Sequence, residues 1–127
     1  MKYKGRELRF IYGEPIRDII FSLIEQFRLE QYSLAKSMGL KDIDVIDVSA
    51  YIGDFAIWFS INGARHTYAI EPFLYTFRMA KTNIKLNNIG NVTLINTGID
   101  NVRTKVKIPN AISGKYDSIP RESIDET

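Results

Sequence analysis

A chain of 127 residues, 45% of them hydrophobic and 25% charged, has the composition of one soluble globular domain, which excludes a disordered or fibrous protein. The 17 Lys and Arg residues nearly balance the 15 Asp and Glu residues, which gives no support for a nucleic-acid partner. The absence of cysteine excludes disulfides and thiolate zinc sites, and we expect no metal site; a cytoplasmic protein suits this composition. No segment has the pattern of a signal peptide or of a membrane span.

The N-terminal segment predicts a hairpin and then a helix. In "YKGRELRFIYGEP" the dipeptide Lys4-Gly5 can form the turn of a short β-hairpin. Pro15 suits the first turn of a helix. We expect that helix to run to about Met38 and to end at Gly39. Its apolar residues recur at helical spacing: Ile16, Ile19, Ile20, Leu23, Ile24 and Phe27.

The middle of the chain alternates strand and helix patterns. The run "IDVIDV" (43–48) predicts a strand buried on both faces, "HTYAIE" (66–71) a second strand and "NVTLINTGI" (91–99) a third. Helices are predicted between them, the first ending at Asn62-Gly63. This order predicts βαβ units and a parallel sheet, an α/β fold of the Rossmann-like kind. Residues 101–127 read as an irregular tail with one edge strand, Thr104 to Ile108.

Polar residues follow the strands at their carboxyl ends. In an open parallel sheet ligands bind at that edge, where the chain carries Asp47, Glu71 and the turn "NTGID". Glu71 lies at the end of the second strand, where a carboxylate can accept hydrogen bonds from two ribose hydroxyls. A nucleoside ligand is therefore the first expectation.

The loop after the first strand argues against a phosphate-bearing nucleotide. "SAYIGD" lacks the G-x-G-x-x-G pattern that lets backbone approach a pyrophosphate, and it has bulky Tyr51 in the loop. Asp54 at the helix start would repel phosphate. A ligand without phosphate and with positive charge fits better, and S-adenosylmethionine has a sulfonium, an ammonium and a ribose.

The segments "VIDVSAYIGDFAIWF", "YAIEPFLYTFRMAKTNIKLNN" and "NVTLINTGID" together resemble the FkbM-type family of S-adenosylmethionine-dependent methyltransferases, over roughly Tyr3 to Asp100. The resemblance implies a class I methyltransferase fold, preceded here by the hairpin and helix, and O-methylation of a small molecule or sugar. It identifies no catalytic residue, because the base would lie in the half of the family domain that follows this segment; Asp100 is the only plausible local carboxylate. The residues it places around the cofactor are Asp47, Ser49, Ala50, Tyr51 and Gly53 at the methionine part, Glu71 at the ribose, and Pro72, Phe73, Gly98 and Ile99 at the adenine.

Two departures from the family pattern stand out. The family normally has glycine where this chain has Ser49, so that a backbone with positive φ would be strained here. Family members also continue through further strands that hold the acceptor, and nothing after Asp100 resembles the next strand. We therefore expect residues 1–127 to form a single, truncated S-adenosylmethionine-binding domain.

A second function follows from the truncation. The chain can instead be a non-catalytic cofactor-fold domain that serves as a binding or assembly module. The unpaired edge of "IDVIDV" would then recruit the C-terminal tail, a second copy in a homodimer, or a partner chain. A nucleic-acid binder is the third and least supported alternative.

Overall fold

The computed structural model describes residues 1–11, 13–30, 33–103, 105–106 and 121–122. The predicted hairpin is confirmed: Lys2–Tyr3 (β1) pairs antiparallel with Arg6–Glu7 (β2). Its turn is Lys4-Gly5, where both residues have positive φ (46° and 75°). Tyr12, which belongs to the same predicted segment, lies outside the described residues.

The predicted N-terminal helix forms in separate pieces. Ile16–Leu23 is α-helical (α1), Ile24–Arg28 is a π-helical turn, and Ser33–Ser37 is α-helical again (α2). The prediction of one helix up to Met38 is wrong, because Glu30 has a positive φ of 45° that no continuous helix allows. The hydroxyl of Tyr3 and the ammonium of Lys36 donate hydrogen bonds to the Glu30 carboxylate at 2.7 and 3.3 Å, and these contacts hold the break in place.

Three parallel strands form the central sheet, in the order β3, β4, β5. They are Asp44–Val48 (β3), His66–Ile70 (β4) and Val92–Ile95 (β5). Two helices connect them, Asp54–Ile61 (α3) and Leu74–Leu86 (α4). The predicted βαβ arrangement is therefore confirmed, and the carboxyl ends of all three strands lie at one edge of the sheet.

The hydrophobic core lies between one face of the sheet and the helices. Trp58, on α3, is fully buried and packs edge-on against Phe59, with ring centroids 5.0 Å apart. Phe27 from the π-helical turn and Leu8 after the hairpin join the same cluster. From the sheet, half-buried side chains pack against it: Val45, Val92 and Leu94.

The other face of the sheet is exposed in the described part of the chain. Ile46 and Val48 on β3 are 67% and 54% exposed, and Tyr68, the neighbour of Ile46 on β4, is 40% exposed. The prediction that β3 is buried on both faces is therefore wrong. An apolar run cannot by itself distinguish a strand covered on both faces from one covered on a single face.

The C-terminal region contains a second small sheet. Lys105–Val106 (β6) pairs antiparallel with Arg121–Glu122 (β7) and is not part of the three-stranded sheet. The edge strand predicted at Thr104 to Ile108 thus forms over two of its residues, and Thr104 and residues 107–108 lie outside the described part. None of the described helices is both long enough and apolar enough to cross a membrane.

Candidate functional site

The loop after β3 has a strained backbone. Ser49 and Tyr51 both adopt positive φ, 62° and 53°, a region that residues other than glycine rarely occupy. Between them Ala50 is buried, and its N–H donates to the carbonyl of Ile70 at 2.9 Å. The strain that sequence analysis expected at Ser49 is therefore present, and contacts with β4 hold the loop in this shape.

Gly53 fixes how the loop enters α3. It precedes the helix with φ 82°, and a Cβ atom there would lie 3.2 Å from the Cβ of Ala80 and 3.3 Å from its Cα. Only glycine combines this φ with so close an approach to α4. Gly53, which the resemblance placed at the methionine part of the cofactor, thus serves packing between two helices as well as the turn.

Glu71 connects the loop to the next strand. Its side chain is fully buried; one carboxylate oxygen accepts a hydrogen bond from the N–H of Tyr51 at 2.7 Å and the other from the N–H of Phe73 at 3.0 Å. The two predicted segments are therefore in direct contact. The structure shows this carboxylate binding two backbone donors. The predicted ribose contact of Glu71 stays a prediction.

The remaining predicted residues lie farther along the same edge. Phe73 is buried with 4% exposure, Pro72 is half-buried, and Gly98 and Ile99 are exposed. A Cβ at Gly98 would lie 3.9 Å from the Cβ of Pro72. The side-chain amide of Asn96 donates to the carbonyls of Glu71 and Pro72 at 2.9 and 3.1 Å, which brings the ends of β4 and β5 together.

A cleft of about 270 Å³ lies beside the end of β3. It contains four of the ten predicted site residues, Asp47, Ser49, Ala50 and Tyr51; the other six, Gly53, Glu71, Pro72, Phe73, Gly98 and Ile99, are not among its lining residues. The arrangement therefore groups four of the five predicted methionine-binding residues in one cleft, while Gly53 and the predicted ribose and adenine residues lie outside it. The other lining residues are Ser22, Gln26, Ile46, Val48, Asp54 and Phe55.

Asp47 is the unusual group in this cleft. It is 5% exposed, and its Oδ2 is buried with no hydrogen-bond partner among the described residues. Burial, together with the negative charges of Asp54 and Glu71, raises the pKa of Asp47 to about 7. A buried carboxylate without a donor is costly, so this oxygen is a place where a cationic donor would be favoured.

Asp54 provides a second buried carboxylate. It is the first residue of α3, and its Oδ2 accepts a hydrogen bond from the hydroxyl of Ser22 at 2.5 Å. Burial raises the pKa of Asp54, while the hydrogen bond from Ser22 acts in the opposite direction. The described residues that line the cleft include these two acids and no Lys, Arg or His, so the cleft favours positive charge.

Sequence analysis missed Ser22 and Gln26. Both lie with Ile19 at the spacing i, i+3, i+7, which is one face of a helix. A signal was present, because two polar residues interrupt an otherwise apolar face. Polar residues at these positions are typical of a helix face that borders a cleft or solvent instead of the hydrophobic core.

The comparisons with known proteins give structural matches only. No model of a protein family matches the sequence, and no curated protein matches it. Among solved structures, the chain resembles a precorrin-6y C5,15-methyltransferase from Geobacter metallireducens, with a TM-score of 0.51 and 22% identity over 69% of this chain and 43% of that one. It also resembles Trm5b from Pyrococcus abyssi, with a TM-score of 0.50 and 21% identity over 73% of this chain and 26% of that one.

The chain has a Rossmann-like methyltransferase fold. The predicted fold class is thereby confirmed. At these identities the matches establish the fold alone, and the more specific resemblance to the FkbM type stays a prediction. The chain spans less than half the length of either structure.

Proposed function

We propose that the cleft beside β3 binds S-adenosylmethionine and that the chain is a methyltransferase of the FkbM type. The observation that carries the proposal is the unpartnered, buried Oδ2 of Asp47 in an acidic cleft, at the edge of a sheet whose fold is that of methyltransferases. An ammonium group would give this oxygen the donor that it lacks. The lining residues thus suit the amino-acid part of the cofactor.

The chemistry of methyl transfer is compatible with such a site. S-adenosylmethionine supplies a methyl group on a sulfonium that is already activated for displacement, so the protein contributes mainly positioning and exclusion of water. In this chain the loop 49–53 would position the cofactor, held in its strained shape by the hydrogen bonds from Ala50 and Tyr51 to the end of β4. We propose a hydroxyl of a small molecule or sugar as the acceptor.

The described residues that line the cleft disfavour phosphate, which makes the proposal selective. The acids Asp47 and Asp54 lie in the cleft, and Asp54 is at the N-terminus of α3, where a pyrophosphate would otherwise be stabilised by the helix dipole. We therefore expect the protein to bind a phosphate-free nucleoside and to reject dinucleotides.

A thermal-shift comparison tests this selectivity. S-adenosylhomocysteine at a hundred times its Kd should stabilise the fold by about 2.7 kcal/mol and raise Tm by several degrees. NAD at the same concentration should leave Tm unchanged, because its pyrophosphate would face the two acids. A shift with NAD and none with S-adenosylhomocysteine would contradict the proposed ligand.

A second candidate function rests on the exposed sheet face. Ile46 and Val48 are more than half exposed, and β3 pairs with β4 alone among the described strands. An unpaired, apolar edge strand is a template for pairing with another strand. We propose for this alternative that two copies pair antiparallel through β3, because a two-fold axis brings identical edges together.

Light scattering on the eluting protein tests the alternative. A homodimer would have twice the mass of the 14.6 kDa chain, and Ile46→Lys should convert it to a monomer. Leu86→Lys is the matched control, since Leu86 is 44% exposed at the end of α4, outside the sheet. A wild-type mass of one chain at high concentration would contradict the homodimer.

A further inference from the structure

The π-helical turn after α1 changes which residues face inward. The N–H of Leu29 donates to the carbonyl of Ile24 at 3.0 Å, five residues back, so this turn contains one residue more than an α-helical turn. Two consecutive residues, Gln26 and Phe27, are buried on it. Phe27 joins the hydrophobic core, while Gln26 lines the cleft beside Asp47.

Gln26 lacks a hydrogen bond that its burial calls for. The residue is only 2% exposed, and its side-chain nitrogen Nε2 has no partner among the described residues. Buried amide groups are nearly always hydrogen-bonded, because the bonds to water that they lose on folding must be replaced. An unpaired donor in the wall of a cleft therefore indicates a missing acceptor.

The same wall also contains an acceptor without a donor. Asp47 offers a carboxylate oxygen without a donor, and Gln26 offers an N–H without an acceptor. A ligand that satisfies both must present a cationic donor and an anionic or polar acceptor close together. The cleft volume of about 270 Å³ is far larger than the roughly 30 Å³ that one water occupies in the liquid, so an organic group fits.

We propose that Gln26 binds the carboxylate of an α-amino-acid group whose ammonium is bound by Asp47. The inference rests on the proposed function, in which S-adenosylmethionine brings that group into the cleft, and it adds a specificity-determining residue. Ser22 is not available for the same task, because its hydroxyl already donates to Asp54. Among the lining residues, Gln26 carries the buried side-chain donor without a partner, and this donor can distinguish a ligand with a carboxylate from one without.

Calorimetric titration with matched ligands tests the proposal. The probes are S-adenosylhomocysteine, its decarboxylated analogue and L-methionine, titrated into the wild type, Gln26→Leu and Gln26→Glu. Gln26→Leu should weaken S-adenosylhomocysteine at least tenfold and leave the decarboxylated analogue unchanged, because only the first ligand uses the amide. Gln26→Glu should weaken S-adenosylhomocysteine further, since it opposes two carboxylates, and should not weaken the decarboxylated analogue.

The control and the contrary outcomes separate this inference from the proposed function. Arg28→Leu changes an exposed residue on the same turn and should alter no affinity. Equal binding of S-adenosylhomocysteine by wild type and Gln26→Leu would overturn the role of Gln26 and keep the proposed function. Binding of L-methionine that depends on Gln26, with none of S-adenosylhomocysteine, would keep the role of Gln26 and overturn the proposed function. Melting curves show whether each variant is folded.

Discussion

The carboxylate of Glu71 accepts a hydrogen bond from the backbone N–H of Tyr51 at 2.7 Å, although the two residues follow different strands. Its second oxygen accepts the N–H of Phe73 at 3.0 Å, so one buried side chain holds the loop after β3 against the turn after β4. The geometry of the candidate site therefore depends on this carboxylate whether or not it also contacts a ligand.

Glu71→Ala should lower the free energy of unfolding by about 2–4 kcal/mol, because it leaves two backbone donors, one buried and one partly buried, without this acceptor. Denaturant unfolding measures the change. Glu25→Ala is the control, since Glu25 is exposed on the π-helical turn, and it should change stability by less than about 0.5 kcal/mol. If Glu71→Ala were as stable as the wild type, the proposed structural role of this carboxylate would be wrong.

The buried carboxyl of Asp47 should make stability fall as pH rises. Its pKa is about 7 in the folded protein against 3.8 as the ordinary value, so the folded state binds more protons between these values. Raising the pH from 4 to 7 removes this stabilisation. Asp47→Asn should therefore raise the free energy of unfolding at pH 8 by roughly 2–4 kcal/mol and have little effect near pH 4.

Asp44→Asn, on the same strand, provides the comparison for Asp47→Asn. The guanidinium of Arg65 donates a hydrogen bond to Asp44 and holds its pKa below the ordinary value. Its contribution to stability is therefore present at neutral pH and lost as pH falls, the opposite direction to Asp47. Thermal unfolding of both variants from pH 2 to pH 8 measures the two trends, since the contribution of Asp44 is lost only below its ordinary pKa of 3.8. A parallel response would refute the assignment for Asp47.

Gly53→Ala should destabilise the protein by about 2–3 kcal/mol, because the new methyl group would combine a strained backbone with contacts of 3.2–3.3 Å to Ala80. Gly63→Ala separates these two causes. Gly63 also has positive φ, 102°, but open space around its Cβ position, so only the strain of about 1 kcal/mol applies. Equal losses of stability in the two variants would show that the approach to Ala80 is unimportant.

Ser49→Gly should stabilise the protein by about 0.5–1 kcal/mol, because φ of 62° strains serine and not glycine. Introducing glycine at an exposed helical position should have the opposite effect: Lys81→Gly in α4 should destabilise the protein by about 1 kcal/mol. Midpoints of chemical denaturation measure both. Destabilisation by Ser49→Gly would mean that the serine side chain contributes a contact that outweighs the backbone strain.

Much of the fold could be predicted from the sequence, because the patterns that indicate strands and helices are local. The strand and helix patterns after Ile43 predicted a parallel sheet, and the rule that strand ends share one edge predicted that Asp47 and Glu71 lie at the same edge. The break at Glu30 was not predictable in this way. Apolar residues continue at helical spacing up to Phe27, and the hydrogen bonds that stabilise the break come from Tyr3 and Lys36.

The composition of the cleft was predictable only in part. Asp47 follows from its position near the end of β3. Gln26 was indicated only as a polar interruption of an apolar helical face, and local propensity does not predict the π-helical turn on which it lies. The exposure of Ile46 depends on what covers the sheet face, and the residues of β3 contain no information about that.

The most direct test of the central claim is calorimetric titration of S-adenosylhomocysteine into the wild type and Asp47→Asn at pH 8 and pH 6. The account predicts micromolar Kd for the wild type at pH 8 and about tenfold weaker binding at pH 6, because protonation of Asp47, with a pKa of about 7, removes the charge that binds the ammonium. Asp47→Asn should bind weakly at both pH values. Absence of binding by the wild type, or equal affinity of the two proteins at pH 8, would contradict the account.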